Sequence, residues 1–444
     1  MRSIKFLVIL AGFVLTSCGG VDFFESDKTP KLPGERINPL AKISNLQPDK
    51  NLGDIKPSFS VTVAESDWQQ PFGGAKHVPG HRELSSQPTL KWAVDIGEGT
   101  NNEERRIIYP PVSDGKLIFA LDAGNQVVAL EVESGKEIWR RNPVPDDEEG
   151  GYGGGLSLSS GKLYLAAGFG SVVAFNSKNG DELWRTKIPT PSRAAPSIDR
   201  GRVFVLTIDN RLIALDGESG RILWSFEAPA ASATFIGGAS PAAAAGAVVA
   251  AMSTGEIFAL SAVSGRIVWQ DTLNVIRGIG LSQAIPAGRA LPVIDDGQVI
   301  AVGAGGFTTS INFVTGQRIW DAELGSSETP AVVGDFVFMI SDPDRLVALR
   351  RTDGAIVWVT NLRQIAGDIK PDDKDADRKI YAGPIAAGGS LIVIRGDGML
   401  FFVQPGDGAI THRIKLPGST VLAPIVVNRT LVVIGEDGVL AAYR

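Results

Sequence analysis

Three places in the chain hold residues whose types and spacing could do chemistry. The first is Cys18, the only cysteine among 444 residues. A lone cysteine excludes an intrachain disulfide, a thiolate metal cluster and C-x-x-C-H haem attachment. The second is the pair His77 and His81 in HVPGH (77–81), spaced as in a helical zinc site. Pro79 and Gly80 between them oppose a helix, and no third ligand is near in sequence. The third is Asp373, Asp375 and Asp377 in DDKDAD, at the spacing of a calcium loop. Arg378 stands where such a loop needs Gly, and Pro384 where it needs a bidentate Glu. These aspartates and the acidic PDDEEG (145–150) read as solvated surface turns. GYGGG (151–155) lacks the strand before and helix after that a phosphate loop requires, and reads as a loop tip. No catalytic residue, metal site or cofactor is expected from any of them.

Cys18 calls for lipid chemistry instead. Arg2 and Lys5 precede an apolar run from Phe6 to Leu15. That run is too short for a membrane span, which takes about 20 residues, and has the length of a signal-peptide core. Leu15-Thr16-Ser17-Cys18 resembles a bacterial lipobox, which implies cleavage after residue 17 and acylation of Cys18. Several acyl chains anchor stably where one does not. Gly19 follows, not the Asp that commonly retains such lipoproteins at the inner membrane, so the resemblance implies the outer membrane.

The remainder has ordinary globular composition, 44% hydrophobic and 21% charged, with a formal net charge of −6. That balance gives no nucleic-acid footprint. Residues 18–67 are rich in Pro and Lys with little periodicity, and read as a flexible tether reaching roughly 40 Å. The folded part is expected over 68–444, opening with a pre-propeller segment, 68–88.

From Trp92 onward the chain repeats. A Gly is followed four residues later by Trp in GKEIW (135–139), GDELW (180–184), GRILW (220–224), GRIVW (265–269), GQRIW (316–320) and GAIVW (354–358). In GAITH (408–412), His412 takes the Trp position. The interval is 38–54 residues, the size of a four-stranded propeller blade. Within each interval, short β-branched runs alternate with Asp/Asn/Gly turns, as hairpins require. Pro196, Pro241, Pro292, Pro330, Pro384 and Pro424 fall in or near first strands, which marks those strands as sheet edges. The chain ends three strands after His412. TLKWAVDI (89–96), with Trp92 in the aromatic position, supplies the missing fourth. The expected fold is all-β: an eight-bladed propeller of four-stranded blades, the last closed by the N-terminal strand, leaving no open edge. Recurrence once per blade makes Trp92, Trp139, Trp184, Trp224, Trp269, Trp320 and Trp358 inter-blade packing residues and not a ligand platform.

The repeat resembles that of pyrroloquinoline-quinone dehydrogenases, a likeness that specifies fold far better than activity. The family's adjacent cysteine pair is absent. Lipobox, linker and propeller together, with SRAAPSIDRGRVFVLTIDNRLIALDGESGRILW (192–224) and WQQPFGGAKHVPGH (68–81), more closely resemble the BamB family of outer-membrane assembly lipoproteins. That resemblance implies a non-enzymatic scaffold at the periplasmic face of the outer membrane. Its partner would be the barrel-inserting (BamA-like) protein. Family partner contacts lie in loops leading into a blade's first strand. Carried over, they fall on Phe235 and Ile236 in ATFIGG (233–238) and on Arg289 in IPAGRAL (285–291), and Arg277 is a further candidate for the same surface. The family's basic and acidic residues are missing there, so the electrostatics would differ. Alternatives from other classes are a quinone-dependent periplasmic dehydrogenase and a polysaccharide-binding envelope lipoprotein.

Overall fold

The computed structural model describes residues 46–444 except 54, 60–61, 64–65, 102–104, 147–150, 152, 230–237, 274–288, 305, 343 and 366–379. Gln47–Arg444 form one compact unit. Its described strands make eight antiparallel sheets of four. Seven use consecutive strands: blades 1 to 7 span 112–141, 154–187, 197–227, 242–272, 293–322, 331–361 and 381–415. Blade 8 joins the last three strands, within 425–443, to the first, Leu90–Asp95. Trp92 pairs with Ala442 and Val94 with Leu440. Thr89 and Arg444 extend the ladder by exchanging backbone hydrogen bonds at 2.9 Å. The expected eight blades and N-terminal closure are both present.

First strands of neighbouring blades contact one another, so they line the inside of the ring. Blades also stack face to face. Second and third strands are therefore covered on both sides and read as continuous apolar runs; Ile118, Phe119 and Ala120 of blade 1 are fully buried. A proline immediately precedes six of the first strands, at Pro111, Pro196, Pro241, Pro292, Pro330 and Pro424, where it removes no ladder bond. In blade 7, Pro384 sits at an irregularity of the ladder. Blade 2 uses glycine instead. Gly154–Ser159 is its first strand, and a Cβ on Gly155 would stand 2.4 Å from that of Ala195. The end of GYGGG is thus an inner strand and not a loop tip, because the next blade's backbone passes too close for a side chain.

Each of the seven repeat tryptophans docks onto the following blade. Its indole Nε1 donates to a backbone carbonyl there: Trp92 to Val132, Trp139 to Ser177, Trp184 to Gly217, Trp224 to Ala262, Trp269 to Phe313, Trp320 to Arg351 and Trp358 to Pro405, at 2.7–3.1 Å. Three residues beyond each acceptor lies the repeat glycine, with φ between +69° and +73°. The ring packs on its bare Cα. A Cβ on Gly135 would sit 2.7 Å from the Trp92 ring, and one on Gly220 2.5 Å from that of Trp184. The residue before each docking Trp is an extra one in the ladder, for example Ile138 between the Leu130–Glu137 and Ala129–Trp139 pairs. This bulge twists the outer strand and turns the indole toward its neighbour.

The tether boundary expected at residue 67 moves to 47. Asp49 N–H donates to the Ile356 carbonyl of blade 6 at 2.8 Å. Leu52 is buried with Phe338 and Trp358, and Phe59 meets Phe338 edge-on at 5.7 Å. Isolated apolar residues among prolines and lysines find a ready-made apolar surface on blades 6 and 7, which the composition of the segment alone does not reveal.

Candidate partner-binding face

The segments leading into first strands gather at one end of the ring, and Arg289 lies there, just before blade 5. Its guanidinium pairs with Glu328, the residue two before Pro330 of blade 6, with Nε to Oε1 at 2.9 Å. Its Nη2 also donates to the carbonyl of Val421, before blade 8, at 3.1 Å. The Glu328 carboxylate reaches blade 7 by accepting from Gly383 N–H at 3.4 Å. The proximity of Glu328 stabilises the ionised guanidinium and moves the Arg289 pKa up. With 29% of its side chain exposed, against 11% for Glu328, Arg289 is half-buried.

A second bridge crosses the same end. The hydroxyl of Tyr109, before blade 1, donates to the carbonyl of Gly238, before blade 4. Blades 1 and 4 are not neighbours, so the phenol reaches across the axis. Burial pushes its pKa up to about 12, so it stays a neutral donor. Beneath it, Ile107, Ala239, Leu291 and Leu422 share one apolar cluster with Trp68 and Phe72.

Arg289 thus ties together the segments before blades 5, 6 and 8, and sequence reasoning missed its partner Glu328. The signal was a repeated position: both residues fall just before the proline that precedes a first strand. Phe235, Ile236 and Arg277 lie outside the described residues, as do Cys18 and the Asp373–Asp375–Asp377 run. The flanking Gly238 is described, and its N–H donates to the Arg193 carbonyl at 3.0 Å. Each histidine of the HVPGH pair engages a backbone group. His77 Nδ1 donates to the Pro292 carbonyl at 2.7 Å, and His81 Nε2 accepts from Gly389 N–H at 2.8 Å. Among the described residues no group of three His, Cys, Asp or Glu could hold a metal.

Known proteins share this design. The model of the family described as outer membrane protein assembly factor BamB matches residues 124–360. The outer membrane protein assembly factor BamB of Yersinia pestis is 24% identical over 368 residues, covering 81% of this chain and 90% of the relative. The crystal structure of BamB from Moraxella catarrhalis superposes with a TM-score of 0.67 at 20% identity, covering 81% of this chain and all of that one. A quinohemoprotein alcohol dehydrogenase from Pseudomonas putida HK5 reaches a TM-score of 0.66 at 12% identity, covering 85% of this chain and 80% of that one, which speaks for the fold alone. With the family model matching more than half of its residues, the chain belongs to the family of the outer membrane protein assembly factor BamB.

Proposed function

We propose that this protein is a non-enzymatic scaffold in the assembly of outer-membrane β-barrel proteins. Family membership across the repeats is the observation that carries this reading. In it, residues 1–17 are a signal peptide, Cys18 bears the lipid, and 18–46 form the tether that holds the propeller at the periplasmic face of the outer membrane. The entry-segment end, with Phe235, Ile236, Arg277 and Arg289, meets the barrel-inserting partner. A rigid ring suits such a task, since a preorganised surface loses little entropy on binding.

Co-purification from detergent-solubilised membranes tests this. The intact chain carries the barrel-inserting protein through tandem affinity steps. The double change Phe235→Asp, Ile236→Asp loses it, by at least roughly thirtyfold in affinity for an interface anchor, with the melting temperature kept. Full recovery of the partner by the double variant moves the interface elsewhere. Recovery of no barrel-assembly protein by the intact chain ends the scaffold reading. Cys18→Ser tests the anchor separately, releasing a folded propeller from the membrane fraction.

A further inference from the structure

Residues 68–84 belong to no repeat, yet they touch most of the repeats in order. Trp68 exchanges two backbone bonds with Ser113 of blade 1, each at 2.9 Å. The next residue, Gln69, accepts from Leu158 N–H of blade 2 at 2.6 Å. Gln70 uses both ends of its side-chain amide on Ile198 of blade 3, at 2.9 Å each. Ala75 accepts from Ala243 N–H of blade 4 at 2.7 Å, and Lys76 from Ile294 N–H of blade 5 at 2.9 Å. Arg82 brackets the first strand of blade 7, donating to the Ala386 carbonyl and accepting from Gly388 N–H, both at 2.9 Å. All these partners lie on, or at the end of, first strands, whose inner edges no other strand of their sheets pairs. An inward edge left unpaired exposes backbone donors with nothing to satisfy them. This segment satisfies them one blade at a time.

The segment is shaped for the purpose. Arg82 is buried, its guanidinium donating to the Pro79 and Asp67 carbonyls and lying 5.3 Å from the Trp68 ring centre. Phe72 and His77 adopt left-handed backbone, with φ of 53° and 59°, a conformation held only where surroundings over-determine it. Gly73, at φ +93°, lies so close to Pro79 that a Cβ would stand 2.9 Å from its Cα. Trp68, Phe72 and Leu84 join the apolar cluster that continues to Ile107, Ala239, Leu291 and Leu422 at the other end of the ring. Own side chains thus run in one apolar cluster from this segment to the segments that carry Tyr109 and Arg289. A quinone held along the axis, as in the dehydrogenases whose repeat this one resembles, does not fit these residues.

We propose that residues 68–84 are a built-in axial plug, which staples the first strands of blades 1, 2, 3, 4, 5 and 7 and seals the ring against axial ligands. The plug stands independently of the assembly role. It makes the cohesion of the repeats depend on a segment outside them.

Hydrogen exchange on the full chain tests it. The N–H groups of Ser113, Leu158, Ile198, Ala243 and Ile294 exchange as slowly as amides between second and third strands, such as Val173 and Ile213. Gly73→Val touches no blade residue but cannot seat the plug. It speeds those five amides at least about tenfold and leaves Val173 and Ile213 as they were. Five amides that exchange quickly in the native chain, or identically in both chains, overturn the staple. A second variant guards against misfolding: a protease site in the exposed turn Ser85–Gln87, cut after folding. The freed N-terminal piece co-elutes with the propeller. A piece that departs and leaves the melting temperature unchanged also overturns the staple. Pyrroloquinoline quinone titrated against the intact chain leaves tryptophan fluorescence unquenched, whereas saturable quenching at micromolar quinone overturns the seal.

Discussion

Seven joints of the ring are made one way and the eighth another. At seven, an indole docks on a left-handed glycine and donates to the carbonyl three residues before it. At the joint from blade 7 to blade 8 the docking position holds His412, half-buried and 5.5 Å from Phe402. The reason lies in the blade being docked upon. In blades 1 to 7 the glycine belongs to the turn between third and fourth strands. In blade 8 those strands are Val439–Tyr443 and Leu90–Asp95, the two ends of the ring. No turn joins them, so there is neither glycine nor carbonyl to receive an indole. The joint is held by apolar packing instead, Ile385, Ile392, Leu400 and Phe402 against Ile425, Val432, Leu440 and Tyr443. A repeat's packing device is therefore only as portable as the turn it docks on.

The largest effect follows from removing the closing strand. Deleting residues 19–96 strips Leu90–Asp95 and Trp92, opens blade 8 and takes the plug and the blade 8 to blade 1 docking with it. No cooperative melting transition is expected. Deleting 19–45 leaves the transition unchanged. Deleting 19–60 lowers it by several degrees, through loss of Leu52 and Phe59 from the surface of blades 6 and 7. Calorimetry on the three truncations checks the order. Equal melting temperatures for the longest and shortest deletions would break the closure argument.

A single docked joint comes next. Trp139 is 6% exposed, and Trp139→Ala is expected to cost about 3–5 kcal/mol in urea unfolding. Gly180→Ala acts on the other half of the same joint. Its φ is +72°, and the new Cβ would lie 2.7 Å from the Trp139 ring. It is expected to cost about 1–3 kcal/mol. In the double variant the clash is gone and only the backbone cost remains, so the two changes add to less than their sum.

Acid tests the plug in the same units. His77 is fully buried, its Nε2 has no hydrogen-bond partner, and burial lowers its pKa to about 4, opposed by its bond to the Pro292 carbonyl. Unfolded, the imidazole takes a proton near 6.5. Its contribution is complete above that value and is lost as the pH falls toward 4, by up to about 3 kcal/mol. His77→Gln removes this slope while the carboxylates still titrate, so the difference between the two chains in urea midpoint against pH isolates the histidine. Parallel curves would mean that His77 is protonated or solvated in the fold.

The ring was legible because its rules are local. Gly-x-x-x-Trp, hairpin turns and a proline before the first strand each recur within one blade, and one stray strand, TLKWAVDI, shows where the circle closes. Contacts made once were not legible. Leu52 and Phe59 sit in a stretch that looks like linker, since their partners are hundreds of residues away. The plug has neither strand nor helix period, because successive residues bond to successive blades and not along one sheet. Arg289 was singled out from its place before a first strand, but Glu328 is visible only once neighbouring blades bring the two together. His77 and His81 carry metal-like spacing, yet their environments give each ring a backbone partner.

The smallest effect is the sharpest test of the joints. His412→Trp restores the repeat pattern at its one exception. If indoles stabilised the ring by apolar bulk alone, an eighth should help by about 1 kcal/mol or more, given its large buried area. Docking as seen at the other joints needs a bare Cα under the ring and a carbonyl three residues earlier. In blade 8 no turn joins Val439–Tyr443 to Leu90–Asp95, so that blade offers neither. The substituted indole has no shelf, and its N–H stays with solvent. Stability is therefore expected to stay within about 0.5 kcal/mol of the native chain, the range of a surface substitution. Urea unfolding of the single variant measures this directly. A circular permutant that joins Arg444 to Thr89 through a Gly-bearing turn of the repeat type, opens the chain at 147–150 and is refolded with residues 46–88 supplied as a separate peptide, sharpens it. In that permutant the same His412→Trp change is expected to gain stability, because the missing turn has been supplied. A gain of equal size in both chains would show that the turn is not what the indole needs.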